Sequence, residues 1–560
     1  EALPVFCGFA VKGSLQDPRF LPDPKDWDEA MGMPDWKDWV KSAKAERRNL
    51  RQRQSFRVLK LREVKRLIAK KVKIHTAKNV MKKKINAQGN PYRHKSRASF
   101  RGFTEIPRFD FHETFAAVAS SAVVRLIVAL GIGAGLTIRQ LDVVGAYLYA
   151  PMAEELYMWA PEGIAKFEGE CWQLLSQIYG TRQAGAGWKD HFVKLLKEFG
   201  FVAVNMDETL FVLRDEVSDR VIILCLYVDD AILADNWPSR VNKLLQFLAT
   251  KIEVTDEGAL HWYLAVSYKY NLDGTKIFAG QTAYIEKVAR AHGIDPNAQK
   301  GPSTPMDARF TVRREDVPND DEVDLELRTK VKRLLGSLLF PSGWCRPDCS
   351  YATHRLARHA AKPWQDIYDA ALRILKYMVA TKDYGIQFSK LPEDRHGHKL
   401  NELYCFVDSS FADDPINSRS TIGYVIFMNG GPVAYKTKLA PTLVGSSTHA
   451  ELAAACMASQ DVVQLRAILA ALGFPQDGPT PMYEDNESCI AIANNKRSTH
   501  NKHIDVRYEI IREYVRKMEI VFVSIGTADQ LADFLTKALG KVKFKACADG
   551  VVVDGSEFYE

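Results

Sequence analysis

Apolar positions along this 560-residue chain fall into short strand-like runs and longer helical ones, and acids break several of the strand-like runs. In "CLYVDDAIL" (225–233) the adjacent Asp229 and Asp230 stand among apolar residues, in "LTIRQLDVVGAYLYA" (136–150) Asp142 does, and in "LYCFVDSSFADD" (403–414) Asp408 does. "STIGYVIFMNGGPVAYKTK" (420–438) predicts two strands about an Asn429-Gly430-Gly431 turn, so three consecutive antiparallel strands are expected with the run before it. "STHAELAAACMASQDVVQLRAILAALG" (447–473) predicts a long helix with Glu451 in its first turn. Next, "MYEDNESCIAI" sets Asp485 at the end of a strand, and "TADQLADFLTK" sets Asp533 near the start of a helix.

An unpaired carboxylate in a buried strand is costly, so something must compensate these acids. For Asp229 and Asp230 two readings stand: a turn that points both into water, or a metal site. If Asp142 folds against that turn, three carboxylates share one pocket, which a cation makes favourable. Two Mg²⁺ ions held by such a set suit nucleotide polymerisation, in which a primer hydroxyl attacks and pyrophosphate leaves. Glu451 has its own alternative, because Thr448-His449-Ala450-Glu451 also fits a capping box.

Composition and charge narrow the setting. With 46% hydrophobic and 26% charged residues the chain is ordinary globular protein, and its length suggests roughly four domains. No uninterrupted apolar run reaches the roughly 18 residues of a membrane span, and "EALPVFCGFAVKG" lacks the cationic start of a signal peptide, so neither membrane nor secretion is supported. Nine scattered cysteines without a C-x-x-C pair suit reduced thiols inside a cell, and a chain that starts with Glu reads as a piece of something longer. Residues 37–101 hold 23 of the 76 Lys and Arg against three acids, a local +20 within a chain of net +7. Part of that stretch has helix-forming composition; the rest predicts two β segments about Ala87-Gln88-Gly89-Asn90, a basic hairpin carrying Lys95, Arg97 and Arg101 that could close over a triphosphate or a template.

The ordered blocks "QLDVVGAYLYA", "QIYGTRQAGAGW" and "LYVDDAILA" resemble the reverse transcriptases of copia-type LTR retrotransposons, and "FHETFAAVAS", "LLGSLLF", "CRPDCSYA" and "ILKYMVATKDYG" extend the resemblance over nearly the whole chain. It implies that Asp142, Asp229 and Asp230 are polymerase metal ligands, that Tyr147 excludes a 2′-hydroxyl, and that Lys95 and Arg97 contact triphosphate, with Tyr179, Gly180 and Gln183 also at the nucleotide. The Asp408, Glu451, Asp485, Asp533 series resembles RNase H, and "KHIDVRYEIIRE" fits the copia-type version of that domain. Four positions depart from the family pattern: Gly185 in place of proline, expected to loosen a template-facing loop; Asn79 in place of tryptophan; Ala265 in place of glycine; and Ser524 where a histidine is common. Cys345, Cys349, His354 and His359 have knuckle-like spacing but run into a helical pattern and are read as packing residues. "GIGAG" (131–135) precedes its strand and is read as a helix-to-strand connection.

The resemblance implies an α+β multidomain chain, a right-hand polymerase of fingers, palm and thumb followed by an RNase H-like α/β domain. The expected division is 1–36 lead-in, 37–265 fingers and palm, 266–400 thumb and connection, 401–545 RNase H-like, and 546–560 tail. The implied function is RNA-directed DNA synthesis with degradation of the copied RNA. Its cofactor is Mg²⁺, two ions per site, with Mn²⁺ as substitute. Its partners are RNA template, DNA primer, RNA/DNA hybrid and deoxynucleoside triphosphates, with self-association left open. The expected location is the cytoplasm or a virus-like particle, the DNA product being destined for the nucleus. The rival reading is a catalytically weakened nucleic-acid-binding remnant.

Overall fold

The computed structural model describes residues 21–85, 91–105, 116–494 and 506–558. The turn expected at 87–90, and parts of the blocks at 111–120 and 502–513, lie outside them.

The basic stretch forms the helix Trp36–Gln52, the short strand Phe56–Val58, the helix Leu61–Ala69 and a long antiparallel pair, Ala77–Ile85 with Pro91–Phe100. Val80 lies opposite Arg97 and Lys82 opposite Lys95. Because side chains alternate along a strand, Lys95 and Arg97 share one face. The Trp36–Gln52 helix braces that strand, its buried Glu46 accepting a hydrogen bond from the Ala98 amide at 3.2 Å.

A six-stranded antiparallel sheet follows, in the order Val254–Ala259, Thr137–Val143, Asp230–Asp235, Arg220–Tyr227, Leu210–Asp215, Val202–Ala203. The helices Ala184–Phe199 and Pro238–Ala249 cover one face, and the helix Ser121–Gly133 covers the other. That last helix is buried from Val123 to Gly133 and apolar on every side but for Arg125, the pattern of a helix sandwiched between layers. Its second layer is another sheet.

This sheet has the order Gly431–Leu439, Thr421–Met428, Leu403–Ser410, Thr480–Glu484, Ile520–Ser524. The first three strands are antiparallel and the last two join in parallel, the arrangement of an RNase H-like domain. The helix Ser447–Leu472 packs on it; by length and composition it could cross a membrane, but its apolar residues are core. One hydrophobic cluster runs through both sheets and the helix between them. Arg125 of that helix fixes the contact, donating from Nε to the Val433 carbonyl at 2.9 Å and from Nη1 to those of Gly343 and Trp344 at 2.8 and 2.9 Å.

A third sheet, ordered Trp262–Tyr263, Val266–Tyr270, Lys276–Gly280, Tyr384–Ser389, Val553–Asp554, takes its last strand from near the C-terminus. Beside it lie the helices Leu325–Trp344, Ser350–Ala357 and Gln365–Ala380. In "CRPDC" the fully buried Arg346 binds Asp348 through two bonds of 2.9 and 2.7 Å, and Tyr377 donates to the same carboxylate at 2.9 Å. Cys345 and Cys349 are packed in separate clusters. The molecule is thus a mixed α and β chain in which a six-stranded antiparallel sheet and a five-stranded mixed sheet pack on opposite sides of the Ser121–Gly133 helix.

Three local expectations change. Gly185 lies in the first turn of the Ala184–Phe199 helix, so its backbone is held by helical hydrogen bonding and not by a loop. Glu451 is in the second turn of its helix: Ser446 is the N-cap, accepting from the His449 amide, and the third helical position is His449. The capping-box reading therefore fails. Asp533 lies in a short 3₁₀ helix, Leu531–Leu535.

Candidate active sites

Asp229 is in the two-residue loop between Arg220–Tyr227 and the strand that begins at Asp230, so the turn reading holds for the backbone. The carboxylates, however, meet another acid. Asp230 is the register partner of Asp142 on the neighbouring strand, and the Val143 amide donates to the Asp229 carbonyl at 2.8 Å. The loop needs support, because Val228 takes φ +55°, a region a β-branched residue rarely enters. The Trp188 indole N–H donates to the Val228 carbonyl at 2.7 Å and supplies that support. Burial first, then repulsion by Asp142, pushes Asp229 up to about 6, and Asp230 likewise to about 6. Buried Oδ1 of Asp229 has no hydrogen-bond partner.

These acids line a cleft of about 980 Å³ whose other wall carries Lys84, Arg93, Lys95, Arg97 and Tyr179. Burial, then Arg97 and Lys84, pulls Lys95 down to about 8. Arg97 stacks over Tyr179 at 4.9 Å, and its buried Nε has no hydrogen-bond partner. Tyr147 follows Gly145, whose φ of +68° turns the chain out of its strand, and it meets Tyr179 edge-on at 5.5 Å. The other two nucleotide residues expected from sequence are elsewhere. Gly180 is a backbone joint at φ +92°, and Gln183 is buried at the start of the Ala184–Phe199 helix, 3.8 Å from the Met152 sulfur.

Beside the second sheet, ligand atoms of Asp408 on the strand Leu403–Ser410, Glu451 on the helix Ser447–Leu472 and Asp485 just after the strand Thr480–Glu484 lie within 4.8 Å of one another. Asp142, Asp229 and Asp230 do not converge that closely among the described residues. Asp408 is pushed up to about 7, mainly by burial, and Glu451 is raised by burial and by nearby Glu484 and Asp408. Buried Oε2 of Glu451 has no hydrogen-bond partner. Asp533 stands outside the trio, ion-paired with Lys537 at 2.6 Å and with Lys543; Lys537 also lies 3.5 Å from Asp408, and Thr536 donates to it. Lys537, Lys543, Thr536 and the buried Glu484 were not expected from sequence. A lysine four residues after Asp533, one turn away on a helix, was the available signal. Ser524 donates to Glu487.

Both sets consist of carboxylate oxygens, the donors hard divalent cations such as Mg²⁺ prefer, and each contains an orphaned oxygen. They fit such an ion on chemistry. Trp188, Arg97 and Ser446 are the supports that sequence reading left unassigned or partly assigned.

Residues 62–308 match the family described as reverse transcriptase (RNA-dependent DNA polymerase). The chain is 30% identical over 472 residues to the retrovirus-related Pol polyprotein from transposon RE2 of Arabidopsis thaliana, covering 83% of this chain and 31% of that protein. It is 27% identical over 531 residues to the corresponding polyprotein from transposon TNT 1-94 of Nicotiana tabacum, covering 94% and 39%. It thus spans between 31% and 39% of the length of these relatives. Among solved structures it is similar to a foamy viral protease-reverse transcriptase in complex with RNA/DNA hybrid, at 14% identity and TM-score 0.36 over 71% of this chain and 46% of that one. It is also similar to LC11-RNase H1, at 18% identity and TM-score 0.20 over 24% and 94%.

Proposed function

We propose that this chain, a relative of the copia-type Pol polyproteins whose residues 62–308 carry a reverse transcriptase domain, copies RNA into DNA and degrades the copied RNA. The observation that supports the polymerase reading is the register of Asp142 opposite Asp230, with Asp229 between the strands, in a cleft walled by Lys95 and Arg97. On this reading 37–265 are fingers and palm, 266–400 thumb and connection, and 401–545 the RNase H-like domain, between a lead-in and a tail.

Asp142, Asp229 and Asp230 would hold Mg²⁺ or Mn²⁺ at the polymerase site, and Asp408, Glu451, Asp485 and Asp533 at the ribonuclease site. When bound, such ions supply the positive charge that favours the attacking and leaving oxygens of an in-line displacement. Lys95 and Arg97 neutralise the triphosphate and orient it, so that the primer hydroxyl faces the α-phosphorus. Tyr147 fills the space a ribose 2′-hydroxyl would need. The +20 stretch at 37–101 attracts template and primer backbones. Location in the cytoplasm or a virus-like particle, and self-association, belong to the same proposal.

The test is primer extension on an RNA template with Mg²⁺ by the whole chain, together with cleavage of a labelled RNA/DNA hybrid. No product from either would sink the reading. One observation favours a weakened ribonuclease as a second reading: two lysines already neutralise Asp533. Extension without cleavage would select it.

A further inference from the structure

Tyr179 lies between the two devices that would select a nucleotide. One side of its ring takes the Arg97 guanidinium at 4.9 Å, and Tyr147 meets it edge-on at 5.5 Å with the planes at 73°. Both contacts suit a ring quadrupole, whose negative face attracts a cation and whose geometry favours T-shaped pairs.

The backbone holds this ring in fixed relation to the basic strand. The Phe100 amide, three residues beyond Arg97, donates to the Tyr179 carbonyl at 2.7 Å. Glycines on both sides make the crossing tight. A Cβ on Gly180 would fall 2.1 Å from the Phe100 carbonyl oxygen, and one on Gly102 would fall 2.3 Å from that of Gly180. Arg182 closes the joint, donating from its amide to the Glu105 carboxylate at 2.9 Å and from Nε to the Gly102 carbonyl at 2.8 Å. The Tyr179 backbone therefore moves with the end of the strand that carries Arg97.

We infer that Tyr179 is a positioning residue that couples the triphosphate contact of Arg97 to the sugar gate at Tyr147, so that sugar discrimination depends on the Arg97–Tyr179–Tyr147 stack and not on Tyr147 alone. Arg97 engaged with phosphate presses on the Tyr179 face, and Tyr179 in turn limits how far the Tyr147 ring can swing from the ribose. This rests on the reading of Tyr147 as the gate.

The experiment measures kcat and KM for one deoxynucleotide and its ribonucleotide in single-nucleotide extension by the whole chain, with Tyr147→Val as reference. Tyr179→Phe keeps both ring contacts and should keep discrimination within about twofold. Tyr179→Leu should lose discrimination by about tenfold, largely through better ribonucleotide incorporation. Arg97→Leu supplies an arm that needs no change at Tyr179. A triphosphate contact acting alone would raise KM for both nucleotides equally, whereas coupling predicts that their ratio also relaxes. Relaxed discrimination in Tyr147→Val with unchanged ratios in both Tyr179→Leu and Arg97→Leu overturns the coupling and leaves the gate standing. Unchanged ratios in all three overturn the gate as well.

Discussion

Asp142 and Asp230 face each other across two antiparallel strands whose neighbouring pairs include Leu141 with Ala231. Two acids in direct register repel, and both are half-buried, so removing a neighbouring negative charge relieves repulsion in the metal-free protein. Asp229, with an orphaned buried oxygen, adds to the strain. Changing Asp229 to Asn should therefore cut primer extension at least about 10²-fold, the scale for losing one preorganised electrostatic partner. It should leave hybrid binding intact and the metal-free melting temperature equal or higher. Undiminished extension, or a protein that no longer folds, would contradict the assignment.

Glu451 separates a ligand from a cap. Ser446 caps the helix, and Glu451 lies a turn further in, with its carboxylate beside Asp408 and Asp485. Glu451→Gln should then abolish cleavage of the RNA strand while primer extension on the same preparation stays within about twofold. Loss of a metal-facing charge predicts that outcome. Retained cleavage of a labelled hybrid would return Glu451 to a structural role.

Lys95 gives the polymerase a basic limb. Its folded-state value near 8 lies below the ordinary lysine value because burial, Arg97 and Lys84 all disfavour its charge. It is mostly charged below pH 8 and increasingly neutral above, so attraction for the triphosphate falls as pH rises through that value. The profile of kcat/KM for deoxynucleotide, which reports the free enzyme, should drop between pH 7 and 9. Lys95→Arg, charged throughout, should flatten this limb. An identical drop in the variant would assign the limb to another group.

How far the sequence reached depends on what each signal encodes. An acid inside an apolar strand is legible because burial makes it anomalous, and Asp142, Asp230 and Asp408 stood out on that ground. The turn at 228–229 and the three-strand run at 403–439 were legible from local chemistry. Which strands become neighbours is not local: Asp142 and Asp230 are 88 residues apart, and only closure of the sheet pairs them. Glu451 was misplaced by one turn because both Ser446 and Thr448 can cap, and in the structure Ser446 accepts from the His449 amide. "GIGAG" was read as a helix-to-strand connection, and the helix Ser121–Gly133 does lead into Thr137–Val143; that a second sheet covers this helix is a tertiary fact no local pattern encodes.

Ala265 offers a stability test away from both sites. Leu264 and Ala265 form the turn between Trp262–Tyr263 and Val266–Tyr270 at φ +50° and +59°. Two-residue hairpins with both central residues at positive φ favour glycine or asparagine, and the related pattern has glycine at 265. Ala265→Gly should relieve about 1–2 kcal/mol of left-handed strain, less about 0.4–1 kcal/mol for the extra freedom glycine has when unfolded. Thermal unfolding should shift upward by ~1 °C with both activities unchanged. A lower melting temperature would mean that the turn carries no strain.

Asn429 should tie the two sheets on either side of the Ser121–Gly133 helix into one unfolding unit. Its buried amide donates from Nδ2 to the Ala129 carbonyl of the Ser121–Gly133 helix at 2.7 Å and to Asn401 Oδ1 at 2.9 Å, and its Oδ1 accepts from the Asn401 amide at 2.7 Å. Gly133 is needed beneath it, because a Cβ there would fall 2.1 Å from that nitrogen. Asn429→Ala leaves buried polar partners unsatisfied, at about 1–3 kcal/mol. The residue lies in the turn between Thr421–Met428 and Gly431–Leu439, yet the hydrophobic cluster that contains those strands also includes the six-stranded sheet. Extension and cleavage should therefore be lost over the same temperature range, and that range should fall for both in Asn429→Ala and in Gly133→Val. Independent domains joined by a linker predict something different, a shift in cleavage alone. Heat inactivation followed by the two assays on one preparation decides between them: separate midpoints for extension and cleavage would rule out the shared core as the unit of folding.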